Sequence, residues 1–298
     1  MISIIIPTYN KDTIKGAIDS ILKQKISNLE IIIIDDSEDK KIQQTIQNIN
    51  HSDIKYYKNT KNIGTTLSRI RGIKIAQGDY IGFLDDDDLM INNNLEKKLK
   101  TINEGEIDFV FCDYIINNMM NNKIIEKNLY QYDEDFRKNI LYTPGPFLQC
   151  CLFRHAFILQ HIDGFDPKSE PSEDWNFFIE LSKHSPQVKH IKIFGFQWNF
   201  SQHSQSSRYE KETNALEYII NNHYDYMINY STRFLSLQYR KLGSMLYYLK
   251  QYDRAKGFLN KAYTTHPWSI KNIIIRLVQF LSNAPYHWLM GQYVKKII

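Results

Sequence analysis

Four aspartates stand side by side in "YIGFLDDDDLM" (residues 80–90), straight after an apolar run. Like charges this close repel, so one or more takes up a proton unless something offsets them. A divalent cation would offset them. Hard cations such as Mg²⁺ or Mn²⁺ take oxygen ligands, commonly one or two carboxylates plus phosphate oxygens. A second acidic pair, Asp35–Asp36, ends another apolar run. Together the two segments point to a ligand that carries a diphosphate. The run also admits a plainer reading, a solvated loop in which Asp88 caps the helix that follows near Asn93.

The elements that carry these acids alternate in type. Residues 2–6, 30–34, 54–57 and 80–84 are short apolar runs rich in β-branched residues. Residues 11–24, 42–49, 65–76 and 95–102 have helical spacing. Continuous apolar strands alternating with helices predict an α/β fold, with a mostly parallel sheet flanked by helices. In such sheets ligands bind beyond the carboxyl ends of the strands. That rule sets "PTYN" (7–10), "DDSED" (35–39) and "DDDD" (85–88) on one rim. Residues 108–200 mix strands and helices less regularly. Beyond about residue 207 helical periods dominate. The expected domains are residues 1–207 and an α-helical C-terminal region, 208–298.

Absences narrow the chemistry. The only glycines before residue 65 are Gly16 and Gly64, so no dinucleotide-binding G-x-G-x-x-G follows the first strand. No G-x-x-x-x-G-K-[ST], C-x-x-C or H-E-x-x-H occurs, which disfavours P-loop and zinc chemistry. A nucleotidyltransferase would want a Gly-rich basic loop where "PTYNKDT" stands. With 298 residues, 43% of them hydrophobic, the chain can bury a sizeable core. A net charge of +4 permits an anionic partner without demanding one, and no nucleic acid is expected. Cys112, Cys150 and Cys151 have no metal-binding spacing. With no signal-peptide pattern and no apolar stretch of spanning length, the expectation is a cytoplasmic protein with at most peripheral membrane contact.

Five segments in order, "SIIIPTYN", "EIIIIDDSEDK", "KNIGTTLSRIRG", "GDYIGFLDDDD" and "GFDPKSEPSEDW", resemble the successive motifs of family 2 glycosyltransferases over residues 1–207. The resemblance implies the GT-A fold and an inverting, metal-assisted transfer from a nucleotide-sugar donor. Pro7 and Tyr9 then match the first nucleotide-binding loop, and Asp36 the aspartate that hydrogen-bonds the base, which favours a UDP-sugar. Ser37 stands where the family commonly has glycine. Asn62, Gly64 and Arg69 match an N-x-G-x-x-x-x-R segment, with Arg69 near the nucleotide or diphosphate; a surface arginine on a helix is the alternative. Asp85 falls near the ribose and metal, Asp86 within the same nucleotide-binding element, and Asp87 on the metal, Mn²⁺ or Mg²⁺. Because residues 85–88 are all aspartate, the metal register within them stays open. Asp174 of "SEDW" matches the catalytic base, and Trp175 is packing or a wall of the acceptor pocket. His203 of "FSQHSQSS" (200–207) matches a His-x-x-Ser segment that touches metal or diphosphate. The acceptor implied is a growing bacterial surface glycan, such as lipopolysaccharide or capsule, often lipid-linked. A non-catalytic sugar-nucleotide-binding or scaffold protein is the alternative.

Residues 239–267 resemble one tetratricopeptide unit, with Tyr239, Leu242, Gly243, Ala255, Ala262 and Pro267 at its signature positions. One such unit cannot bury its face unaided, so neighbouring helices such as residues 213–226 are expected to cover it. Residues 268–298 mix Ile, Leu, Phe and Trp with Lys271, Arg276, Lys295 and Lys296. They read either as a packed helical layer or as amphipathic helices on an anionic membrane surface.

Overall fold

The computed structural model describes residues 1–143, 145–200 and 209–280. The expected domain boundary near residue 207, and His203, lie outside the described residues. The chain forms two compact units, residues 1–167 with 173–204, and residues 168–172 with 205–298.

The first unit runs β1 (Ile2–Thr8), α1 (Ile14–Leu22), β2 (Leu29–Asp35), α2 (Lys41–Ile49), β3 (Ile54–Lys58), α3 (Thr65–Ile75) and β4 (Tyr80–Phe83). It continues through β5 (Leu89–Met90), α4 (Asn94–Ile102), β6 (Phe109–Asn118), β7 (Lys123–Lys127), α5 (Gln131–Glu134) and α6 (Phe136–Tyr142). After a 3-10 turn at Leu148–Cys150 come β8 (Cys151–Arg154), α7 (His155–Gln160), α8 (Glu173–Ser182) and β9 (Val188–Phe200). The sheet order is β3-β2-β1-β4-β8-β6-β9-β5, with β7 paired on β6.

Every residue of β1 and β2 is buried, which is why isoleucine dominates both. One acid inside that core, Glu30, is satisfied locally: it accepts from Ser3 Oγ at 2.5 Å and from Gln77 N at 2.7 Å. The first four strands pair in parallel, as the sequence predicts. The second half is mixed. β8 runs antiparallel to both β4 and β6, while β6 and β9 are parallel. A short turn between β6 and β7 allows antiparallel pairing there, whereas parallel neighbours need a long crossover.

β1 pairs β2 on one side and β4 on the other, so the strand order reverses at β1. The crevice at such a reversal, beyond the carboxyl ends, is where ligands bind in open α/β sheets. Pro7 is tolerated in β1 because pairing with β4 ends at Ile5, two residues earlier. α8 buries Phe177 and Phe178 among Phe153, Phe109 and Phe165. Trp175 belongs to this packing: it is buried and donates Nε1–H to Ile140 O at 2.7 Å. The carboxylates at the start of α8 therefore rest on a rigid aromatic base.

The second unit is helical: α9 (Tyr209–Asn222), α10 (Tyr224–Tyr230), α11 (Thr232–Tyr248), α12 (Tyr252–Thr265) and α13 (Ile270–Phe280). The helix expected over residues 213–226 is broken at His223, and both resulting pieces pack on α11. α11 and α12 pack closely at Gly243, where a Cβ would meet the Leu259 side chain and Ala255 O. Buried Asn272 ties α13 to this pair, donating to Ala262 O and Ser236 Oγ and accepting from Arg240. No described helix is long and apolar enough to cross a membrane.

Candidate active site

Three rim segments meet beyond β1, β2 and β4. At the end of β1, Thr8 Oγ1 donates to Asp86 Oδ2 at 2.7 Å, and Tyr9 N reaches the same oxygen at 3.4 Å. Pro7 is buried in the strand. The Tyr9 side chain is 47% exposed on the rim.

At the end of β2, Asp36 is buried and holds four protein donors. Its Oδ1 accepts from Asn59 Nδ2 and from Ile63 N at 3.3 Å. Its Oδ2 accepts from Gly64 N and Ser68 Oγ, both at 3.0 Å. A carboxylate offers about four acceptor positions, so a base imide would reach Asp36 only by replacing one of these donors. The group organises the loop that leads into α3. Gly64 caps that helix at φ 87°, a conformation that favours glycine, and exposed Asn62 accepts from Gly64 N at 3.0 Å. Ser37 has no positive φ, so nothing here requires the usual glycine. Ser37 Oγ instead accepts from Asn10 N at 2.9 Å, joining the first two segments.

The four aspartates after β4 have four different surroundings. Asp85 Oδ1 accepts from Arg69 NH2 at 2.8 Å and its Oδ2 from Gln149 Nε2 at 2.6 Å. Asp86 is buried under the Thr8 hydroxyl. Burial first, then the charges of Asp87 and Asp85, push its pKa up to about 7. Asp87 is one-third exposed and pairs with Lys11 Nζ at 3.0 Å. Asp88 is 2% exposed and accepts from Asn199 N at 2.8 Å. Burial, then the charge of Asp85, pushes its pKa up to about 9. Asp88 does not cap a helix: α4 begins at Asn94, with Asn93 as its uncapped N-cap residue. Asp86, expected to bind nucleotide, lies buried, with Thr8 and Tyr9 closing over its Oδ2.

Arg69 joins this run to α8. Its guanidinium is buried, with NH1 at 2.7 Å from Glu173 and 3.3 Å from Asp174, and NH2 on Asp85. The surface-arginine reading is thus overturned. Burial lowers the Arg69 pKa, but Asp85, Asp174 and Glu173 outweigh it and the net shift is upward. Asp174 Oδ2 also accepts from Leu148 N at 3.2 Å. Its side chain is one-fifth exposed, leaving an open edge. Burial raises the Asp174 pKa, Arg69 opposes this, and Asp85 adds to it. Both acids lie in the first turn of α8, where the helix dipole favours negative charge.

The cluster holds six carboxyls, Asp85 to Asp88, Glu173 and Asp174, against the ion-paired cations Lys11 and Arg69. Such an excess is relieved by protons or by a bound cation. No three His, Cys, Asp or Glu side chains form a metal cage among the described residues. Asp87, one-third exposed and with one ion pair, is the carboxylate of the run that would hold a hard, oxygen-seeking cation. Sequence reasoning gave no such role to Thr8, Lys11, Gln149 and Asn199, whose partners lie 64 to 111 residues away in sequence. Only their nearness to the quoted motifs hinted at them.

The profile of "Glycosyl transferase family 2" matches residues 3–162, more than half of the chain. The chain belongs to this family. One relative is the Escherichia coli UDP-Glc:alpha-D-GlcNAc-diphosphoundecaprenol beta-1,3-glucosyltransferase WfgD, 35% identical over 128 residues, which are 43% of this chain and 50% of that protein. Another is the uncharacterized glycosyltransferase MJ1057 of Methanocaldococcus jannaschii, 27% identical over 237 residues, covering 75% of this chain and 79% of the relative. Among solved structures, S. aureus TarS superposes with a TM-score of 0.63 at 21% identity, over 90% of this chain and 49% of TarS. Residues 1–349 of TarS in complex with UDP-GlcNAc give a TM-score of 0.58 at 17% identity, over 96% and 78% of the two chains. This family member spans about half the length, or less, of the first curated relatives it matches. The TarS likeness bears out the α/β fold with its helical C-terminal part.

Proposed function

We propose that this family 2 member is an inverting glycosyltransferase that moves a sugar from a UDP-sugar to a hydroxyl of a lipid-linked, growing surface glycan. The observation that carries the proposal is the single Arg69 bridge between Asp85 of the acidic run and Asp174 at the start of α8. It couples a group beside the donor diphosphate to a partly exposed base. In the proposed step the acceptor hydroxyl gives its proton to Asp174 as its oxygen bonds to the anomeric carbon. The bond from that carbon to the diphosphate breaks, and the nucleoside diphosphate leaves with the electron pair. A sugar hydroxyl is a poor nucleophile at neutral pH, so the raised proton affinity of Asp174 suits it to this role. Bound on Asp87 and phosphate oxygens, Mn²⁺ or Mg²⁺ would neutralise charge on the leaving group. Tyr9 on the rim is available to pack beside the base.

The donor and acceptor classes rest on similarity. Two E. coli relatives carry names that describe transfer from UDP-Glc to a GlcNAc-diphosphoundecaprenol. A lipid-linked acceptor implies work at the inner face of a membrane. α13 supports that side of the reading: Ile270, Ile274 and Leu277 on it, and Trp268 just before it, are exposed, and the helix has no acidic residue and carries Lys271. An apolar stripe flanked by basic residues suits an anionic bilayer surface. The test is an assay with UDP-, GDP- and dTDP-sugars and a polyprenyl-diphospho-GlcNAc acceptor, with Mn²⁺ and with chelator. Cation-dependent transfer from one UDP-sugar, with inversion at the anomeric carbon, is the expected result. Binding of no nucleotide-sugar at all would overturn the proposal and leave a scaffold.

A further inference from the structure

The family resemblance gives Gln149 no role of its own, yet its side chain touches the centre of the site. Its side chain is 4% exposed, and its Nε2 donates to Asp85 Oδ2 at 2.6 Å. The neighbouring residue, Leu148, donates its backbone N–H to Asp174 Oδ2 at 3.2 Å. The other oxygen of each acid is held by Arg69, at 2.8 Å for Asp85 and 3.3 Å for Asp174. The contacts close into a ring that runs from Asp85 through Arg69, Asp174 and Leu148 to Gln149 and back.

The segment that supplies two of these donors is itself fixed. Gly145 turns at φ +36°, with Ile140 and Phe178 against the place a Cβ would fill. Phe147 packs against Tyr114, Trp198 and Phe196, with ring centroids 5.1, 5.3 and 6.1 Å away. Leu148 is fully buried. Phe147 and Leu148 thus anchor the segment on β6 and β9, next to Gln149.

One atom of the ring is out of place on stability grounds. Gln149 Oε1 is buried and has no hydrogen-bond partner among the described residues. A buried unpaired amide oxygen is a net cost, and an apolar side chain of the same length would avoid it. The amide contributes through Nε2 alone, and Nε2 acts on Asp85.

We propose that Gln149 is a positioning residue for the transfer, holding Asp85 in fixed geometry to Asp174 across the Arg69 bridge. The inference rests on the reading of the site as a nucleotide-sugar site. Arg69 alone would leave Asp85 free to pivot about one oxygen. Gln149 holds the second oxygen and so sets the angle that Asp85 presents to the donor side. The cost of the unpaired Oε1 is the kind that persists at working sites, where geometry matters more than stability.

The test is Gln149→Met, which keeps side-chain length and removes the amide. Thermal unfolding, UDP binding with Mg²⁺ by calorimetry, and transfer kinetics are read on the full chain. Losing a partner that orients a functional carboxylate costs about tenfold or more in affinity or turnover. The expected result is that loss in UDP affinity or kcat/KM, with a Tm equal to or above wild type. A purely structural role predicts the reverse, a lowered Tm with any activity loss in proportion. A double-mutant cycle with Asp85→Asn adds a second readout. The two effects should be non-additive if Gln149 acts through Asp85, and additivity would overturn the inference. If wild type binds UDP and Gln149→Met is indistinguishable from it, only this inference falls. If wild type binds no UDP, the reading of the whole site falls, and this inference falls with it.

Discussion

The acidic pair after β2 and the acidic run after β4 occupy equivalent positions at the ends of parallel strands, yet their surroundings are opposite. Asp36 is saturated by four donors from its own chain, and Asp35 accepts from Ser37 N, Tyr56 OH and Lys58. In the run after β4, Asp87 has one ion pair on a half-exposed lysine, and the pKa values of Asp86 and Asp88 rise to about 7 and about 9. One set of carboxylates builds the loops. The other crowds acids that can all ionise together only if a cation joins them. The difference teaches that position on the rim does not by itself make a ligand site; what does is the negative charge left over once internal donors are counted.

The largest effect should come from the base. Asp174→Asn keeps the shape and removes the proton acceptor, so transfer should fall by about 10²–10⁴-fold while UDP binding persists. Retention of near wild-type transfer would remove Asp174 from the role. Next comes the saturated side. Asp36→Ala takes the acceptor from four donors, two of them in fully buried bonds, and denaturant unfolding should show a loss of about 2–4 kcal/mol. A neutral effect would mean that Asp36 is a ligand group after all. The pH profile sharpens the contrast further. Asp174 has a raised pKa and must be ionised to act, so kcat should fall as pH drops, with a limb above the ordinary aspartate value of about 4. A limb at or below that value would contradict the burial argument. The smallest change is Gly64→Ala, which strains the φ 87° cap and should lower stability in denaturant unfolding by about 1–3 kcal/mol.

Much of the first half of the fold was legible because it is written locally. Ile2–Thr8 and Leu29–Asp35 are buried throughout and mostly isoleucine because both faces are covered, and helices of the expected spacing alternate with them. The second half was not, because β8 is four residues and β5 two, and only distant partners define them. At the site, the place of the acidic run followed from strand order. The division of labour within it did not. Asp86 and Asp87 are the same residue type one position apart. Asp86 is closed by the Thr8 hydroxyl, 78 residues away, and Asp88 by Asn199, 111 residues away. Arg69 illustrates the same limit: its helix was predicted, but the three carboxylates that bury it come from two other segments.

The central claim is that the uncompensated charge after β4, not the pair after β2, recruits the donor. The most direct measurement is a calorimetric titration of UDP into wild type and Asp87→Ala, each with Mg²⁺ and after chelation. The account predicts cation-dependent binding in wild type and at least about tenfold weaker binding in Asp87→Ala. It also predicts that the thermal stability of Asp87→Ala stays within about 0.5 kcal/mol of wild type, because Asp87 is partly exposed. UDP binding of equal strength in both proteins, unaffected by the chelator, would contradict it.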